Sequence, residues 1–261
     1  MKPIFKLCLF LGLLASVRLG LAASPATSSA ACSFRAMSWD DEITDLKIAI
    51  DDKKSTSLAL RPNGRSEFYR YEGPKDQPLV FFRESKHDKG ETVRTPAATV
   101  PLNTLYEHSL LMFSSLPDRP GQYAVLAMDD SPKALAPGGY CFMNFSKAPL
   151  AIKCGMASGI VPAGKSLVLA GKSAEEGEIT GVEIYAQEAG SAPKRVYANR
   201  WPYDDKTRTT VFVFQIPGEG SFELKRIHED VTIMANHVKA AAAAAAAAAK
   251  KAAAAGEAPA P

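Results

Sequence analysis

The sequence predicts an all-β protein of antiparallel sheets packed face to face. Three observations carry that expectation. Apolar residues recur with period two, the segments that show this are short and bounded by Pro, Gly, Asn and Asp clusters, and no helical periodicity interrupts them before Val231. Such a chain forms a sandwich, either one large one or two tandem immunoglobulin-like units, followed here by a C-terminal Ala-rich helix.

Residues 1–22 read as a signal peptide. Lys2 and Lys6 supply the positive start, residues 7–14 are an apolar run too short to span a bilayer, and Gly20-Leu21-Ala22 supplies the small-x-small pattern of a cleavage site. Export to the periplasm or beyond is therefore expected, with no transmembrane segment left after cleavage. Residues 23–33, rich in Ala and Ser, are expected to form a flexible arm.

The body follows in two stretches, a first β unit at 34–131 and a second at 138–229. Candidate strands lie at 46–50, 66–71, 79–82, 109–113 and 123–127, then at 140–145, 150–154, 166–169, 182–186, 195–197, 209–214 and 222–224. Breakers between Ser131 and Gly139 suit a linker between units. A loose internal repeat supports two units: Pro78-Leu79-Val80-Phe81 and Tyr123-Ala124-Val125 run parallel to Pro149-Leu150-Ala151-Ile152 and Val182-Glu183-Ile184. The tail at 230–261 holds an alanine run from Ala240 to Ala249, for which helix is the favoured backbone. Lys250 and Lys251 stop that run short of a membrane span.

Charge excludes one class of partner. The whole chain has 31 Lys and Arg against 28 Asp and Glu, but residues 1–22 contain Lys2, Lys6 and Arg18 and no acid, so the remainder is balanced. A nucleic-acid partner is not expected, because phosphate binding needs a clustered basic excess.

Beyond the leader three cysteines remain, Cys32, Cys141 and Cys154. Cys141 and Cys154 flank Ser146-Lys147-Ala148-Pro149, and a hairpin there would set them opposite each other, with Met143 against Ile152 and Phe145 against Leu150 on one apolar face. A disulfide between Cys141 and Cys154 is the expectation, with two buried free thiols packing as small hydrophobes as the alternative. Cys32 is expected to be unpaired in the arm.

No catalytic residue stands out. Neither a nucleophile elbow, nor a phosphate-binding loop, nor a zinc-protease helix occurs, and His87, His108, His228 and His237 are scattered without ligand spacing, so neither metal nor cofactor is expected. The pairs Asp40-Asp41, Asp129-Asp130 and Asp204-Asp205 sit beside breakers and read as solvated turn formers. One loop invites a recognition role: Asn199, Arg200, Trp201 and Tyr203 crowd aromatic, amide and guanidinium groups that could stack a sugar or anchor a protein. Its bland counterpart is a hairpin whose alternate residues pack inward.

Asn144-Phe145-Ser146 with Pro149-Leu150, then Asn199-Arg200-Trp201, residues 208–214 and Lys225-Arg226-Ile227, resemble an uncharacterised group of secreted bacterial β-sandwich proteins over residues 66 to 228. The resemblance implies a secreted β fold and carries no activity. The sequence thus points to an exported, non-enzymatic protein with a binding or structural role, its partner an envelope protein or glycan. The alternative is an envelope glycan hydrolase.

Overall fold

The computed structural model describes residues 29–49, 55–74, 77–86, 91–172, 179–187, 190–216, 218 and 220–233, with isolated positions between 235 and 250. The expected leader, and most of the Ala-rich segment expected to be helical, lie outside the described residues. The body is all-β. Strands β1 (Ser29–Ser38), β2 (Ile43–Ala49), β3 (Ser55–Leu60), β4 (Tyr69–Pro74), β5 (Leu79–Lys86), β6 (Thr92–Val100), β7 (His108–Ser115) and β8 (Tyr123–Asp129) form two sheets, β4-β1-β7-β8 and β3-β2-β5-β6. Strands β9 (Gly139–Asn144), β10 (Leu150–Cys154), β11 (Ala157–Val161), β12 (Ser166–Ala170), β13 (Ile179–Ala186), β14 (Lys194–Pro202), β15 (Thr207–Gln215) and β16 (Phe222–Asp230) form β12-β9-β15-β16 and β11-β10-β13-β14.

The two halves share one topology: strand β9 takes the place of β1, β10 that of β2, and so on to β16. Even the single parallel contact recurs, β1 with β7 and β9 with β15. Duplication is therefore present in the strand order, but its register is not that of the sequence repeat. Strand β5 corresponds to β13, whereas the sequence repeat set residues 78–81 against 149–152 in β10. Both segments are a proline followed by an apolar run, which any strand entering a core resembles.

Each unit closes on its own core. Phe34, Ala36, Leu111 and Phe113 of one sheet meet Ile48, Leu58, Leu79 and Phe81 of the other. In the second unit Tyr140, Phe142, Val211 and Val213 meet Leu150, Ile152, Cys154, Val182 and Ile184. The opposite faces of the same inner strands are buried as well: Met37, Leu110, Met112, Phe212 and Ile227 make a third apolar cluster, the seam between the units. The molecule is thus four layers deep, with β4-β1-β7-β8 and β12-β9-β15-β16 back to back in the middle. Strands buried on both faces lose polar alternation, which is why β7 reads HSLLMFSS and β15 reads TRTTVFVFQ.

Two expectations at the chain's cysteines are corrected. Residues 29–33 are not a loose arm but the start of β1, where Cys32 pairs with Tyr71 of β4 and packs on the first core. Cys141 and Cys154 are both free thiols. The intervening loop is no hairpin: β9 pairs with β12 and β15, while β10 pairs with β11 and β13 in the facing sheet. Asn144 drives that crossover. Its Oδ1 accepts from the Ser146 N–H and hydroxyl, and its Nδ2 donates to the Ala148 and Val161 carbonyls, turning the chain out of one sheet and into the other. The hairpin instead follows β10, at Gly155-Met156. Gly155 has φ +58, and a Cβ there would stand 2.5 Å from the Lys172 carbonyl oxygen, so glycine is required.

Candidate functional site

The seam changes chemistry along its length, and alternate residues from the end of β1 into the turn after it record the change: Arg35, then Met37, then Trp39. Arg35 lies in a buried charge cluster, Met37 in the apolar seam, and Trp39 in an open aromatic groove.

The charge cluster gathers residues from both units and the link between them. Asp130, where that link begins, accepts from Arg35 Nε at 2.9 Å, Arg65 Nε at 3.2 Å and Arg208 Nη2 at 2.9 Å. Glu229 on β16 accepts from Arg35 Nη2 at 3.0 Å and Arg208 Nε at 2.6 Å. Arg208 Nη1 also donates to the Asp130 and Ser131 carbonyls, so the second unit grips the connecting backbone as well as its carboxylate. The side chains of Arg65 and Arg208 are only 4% and 1% exposed, which makes these ion pairs nearly dry. Burial works against ionised Glu229, but the Arg35 hydrogen bond and the fields of Arg65, Arg35 and Arg208 outweigh it and bring its pKa down to about 2. The Arg65 pKa is lowered as well, which for a guanidinium disfavours the charged form: desolvation lowers it, the neighbouring acids offset only part of that, and the Arg208 and Arg35 charges add to it. The expectation that Asp129-Asp130 is a solvated turn pair holds for Asp129 alone, since Asp130 is buried. Asp204 does form a turn, accepting from the Lys206 N–H and the Thr207 hydroxyl.

At the far end the seam opens. Trp39, Met112, Ser114, Ala124, Phe145 and Phe214 line a groove of about 440 Å³, within the range of ligand sites. The Trp39 ring centroid is 5.2 Å from that of Phe212 and 5.7 Å from that of Phe214, both edge-on. Lys225 Nζ sits 4.8 Å above the same indole and donates to the Trp39 carbonyl. Phe145, 46% exposed, forms the outer wall. Strand β8, which supplies Ala124, is the edge of its sheet and pairs only with β7 among the described strands.

The loop singled out in the sequence is arranged differently. Asn199 and Arg200 are exposed and Tyr203 is half-buried, but Trp201 is 2% exposed and belongs to the second core. Its ring stacks on Phe142 with centroids 6.1 Å apart, and its Nε1 donates to the Tyr197 hydroxyl at 2.9 Å. Those four residues therefore make no continuous aromatic patch. Period two counted from an inward Val196 sets Trp201 outward; in β14 it lies inward instead, opposite the buried Thr180 of β13. Trp39 was passed over because it follows a strand of small and polar residues that gave no signal.

Of the histidines, His108 Nδ1 lies 3.0 Å from the Ser33 hydroxyl and His228 Nδ1 lies 2.9 Å from the Thr209 hydroxyl, while His87 and His237 are outside the described residues. Among the described residues no group of His, Cys, Asp and Glu is set to hold a metal ion. No helix of the described residues is long and apolar enough to cross a membrane. Comparison with known proteins gives no matching family model and no matching curated protein.

Proposed function

We propose that the protein is an exported, non-enzymatic binding protein of the periplasm or cell envelope, and that its site is the Trp39 groove, where it docks an extended segment of a partner protein. The observation that carries this reading is the groove itself: a tryptophan and a half-exposed phenylalanine where the seam opens, beside β8, an edge strand that pairs only with β7 among the described strands. An edge strand offers unpaired N–H and C=O groups for strand addition, and an apolar pocket alongside it accepts alternate side chains. Among the side chains that line the pocket, only the Ser114 hydroxyl and the Trp39 indole N–H can hydrogen-bond, which fits an apolar side chain better than a sugar ring with several hydroxyls. The leader-like N-terminus supports the export part of the reading.

A photo-crosslinking residue at Ala124, compared with one at Ser158 on the distant β11, tests it in the producing cells. A protein adduct formed from Ala124 only, and lost in a folded Trp39→Ala variant, is the expected result. Adducts of equal yield from both positions, or a saturable glycan bound at the groove in place of a protein, would refute it.

A further inference from the structure

The charge cluster is out of balance. Among the described residues, three guanidiniums, Arg35, Arg65 and Arg208, face two carboxylates, Asp130 and Glu229, in a region almost closed to water. The excess resides on Arg65. Its Nε and Nη2 are used, on Asp130 and on the Thr210 hydroxyl, but Nη1 is buried with no hydrogen-bond partner. An arginine stays protonated at any ordinary pH, so losing a proton does not relieve the excess. A buried charge without a counter-charge costs several kcal/mol, and an unmatched donor adds to that. Water would satisfy the donor and leave the charge.

Space for a counter-charge adjoins the cluster. Arg65, Asp130 and Thr210 share a cavity of about 220 Å³ with Cys141, Ser166 and Leu135, between the inner sheets and the connecting loop. Thr210, Ser166 and Cys141 bring hydroxyl and thiol donors to its wall, and Cys141 feels the Arg65 charge. Asp129 also lines the cavity, but it is exposed and its Oδ1 already accepts from the Ser131 N–H. The volume admits one small ion with water and excludes a nucleotide or sugar phosphate. We propose that this cavity is a binding site for a small monovalent anion, a halide or a one- or two-carbon carboxylate, held by Arg65 and completing the charge balance between the two units.

Two measurements decide it. Crystals of the full chain soaked in bromide should show an anomalous peak in hydrogen-bond reach of Arg65 Nη1. In solution, at constant ionic strength made up with bulky gluconate, chloride and formate titrations should raise the melting temperature saturably by about 2–4 °C. A rise with chloride alone assigns a halide site, and a rise with formate alone a carboxylate site. Arg65→Met leaves two guanidiniums facing two carboxylates and should abolish both responses. Melting temperatures that ignore both anions, or a chloride response with no bromide peak at Arg65, would overturn the proposal.

Discussion

Arg35 on β1 and Glu229 on β16 stand 194 positions apart in the chain and meet across the seam through the two terminal guanidinium nitrogens, Nη1 and Nη2, in a bidentate pair. The same guanidinium reaches Asp130 through Nε and Nη2, so one side chain ties together the first unit, the link and the second unit. How much the arrangement contributes is open to direct measurement.

Glu229→Gln removes one carboxylate and leaves three guanidiniums facing Asp130 alone. Because it breaks a buried pair without replacing its partners, the variant should lose about 3–5 kcal/mol in urea or thermal unfolding. A loss below about 1 kcal/mol would mean that water enters the cluster and screens it.

Acid should weaken the protein through the same residue. The folded-state pKa of Glu229, about 2, lies below its ordinary value of 4.5, so the folded chain binds fewer protons than the unfolded one between those limits. The stabilisation is fully present above pH 4.5 and is lost as pH falls toward 2. Melting temperature measured across that window should fall with acid, and Glu229→Gln should flatten part of the slope.

Cys141 and Cys154 should titrate as free, unreactive thiols. Burial pushes the first up to about 11 and the second up to about 12, and the thiolate is the reactive species. Intact mass should show no disulfide, alkylation should be slow until denaturant is added, and reductant should leave the melting temperature unchanged. A mass short by the two hydrogens of a disulfide would contradict the sheet pairing described above.

Trp201→Ala should behave as a core deletion, costing about 3–5 kcal/mol. Asn199→Ala and Arg200→Ala, at exposed positions, should each change stability by no more than about 0.5 kcal/mol. Chemical denaturation of the three variants separates a packing tryptophan from a recognition loop; equal, small effects would return Trp201 to the surface.

The fold class was legible because strands with one buried face alternate, and those with two read as unbroken apolar runs. Four strands escaped. Strands β3, β6 and β11 lie at sheet edges, where STSLAL, TVRTPAATV and ASGIV have little apolar surface to bury and so little pattern to show. Strand β1 is central, yet SAACSFRAMS disguises it, because its outward face carries Arg35. The seam was illegible for a related reason. Arg35, Arg65, Asp130, Arg208 and Glu229 come from five distant positions, and each alone resembles a solvated surface charge. The Cys141–Cys154 expectation failed because two adjacent apolar strands satisfy a hairpin register and a sheet-to-sheet crossover equally well; only the side-chain chemistry of Asn144 distinguishes them.

Residues 131–138, which join the units, set the terms of their association. Matching sheets of two like-folded sandwiches meet at the seam, as two subunits of a dimer would, but here both belong to one polypeptide. Their encounter is intramolecular, at an effective concentration on the order of millimolar for a short link. Dilution therefore leaves the seam closed, and Trp39 and Phe145, which lie on opposite units, keep their spacing however scarce the protein becomes.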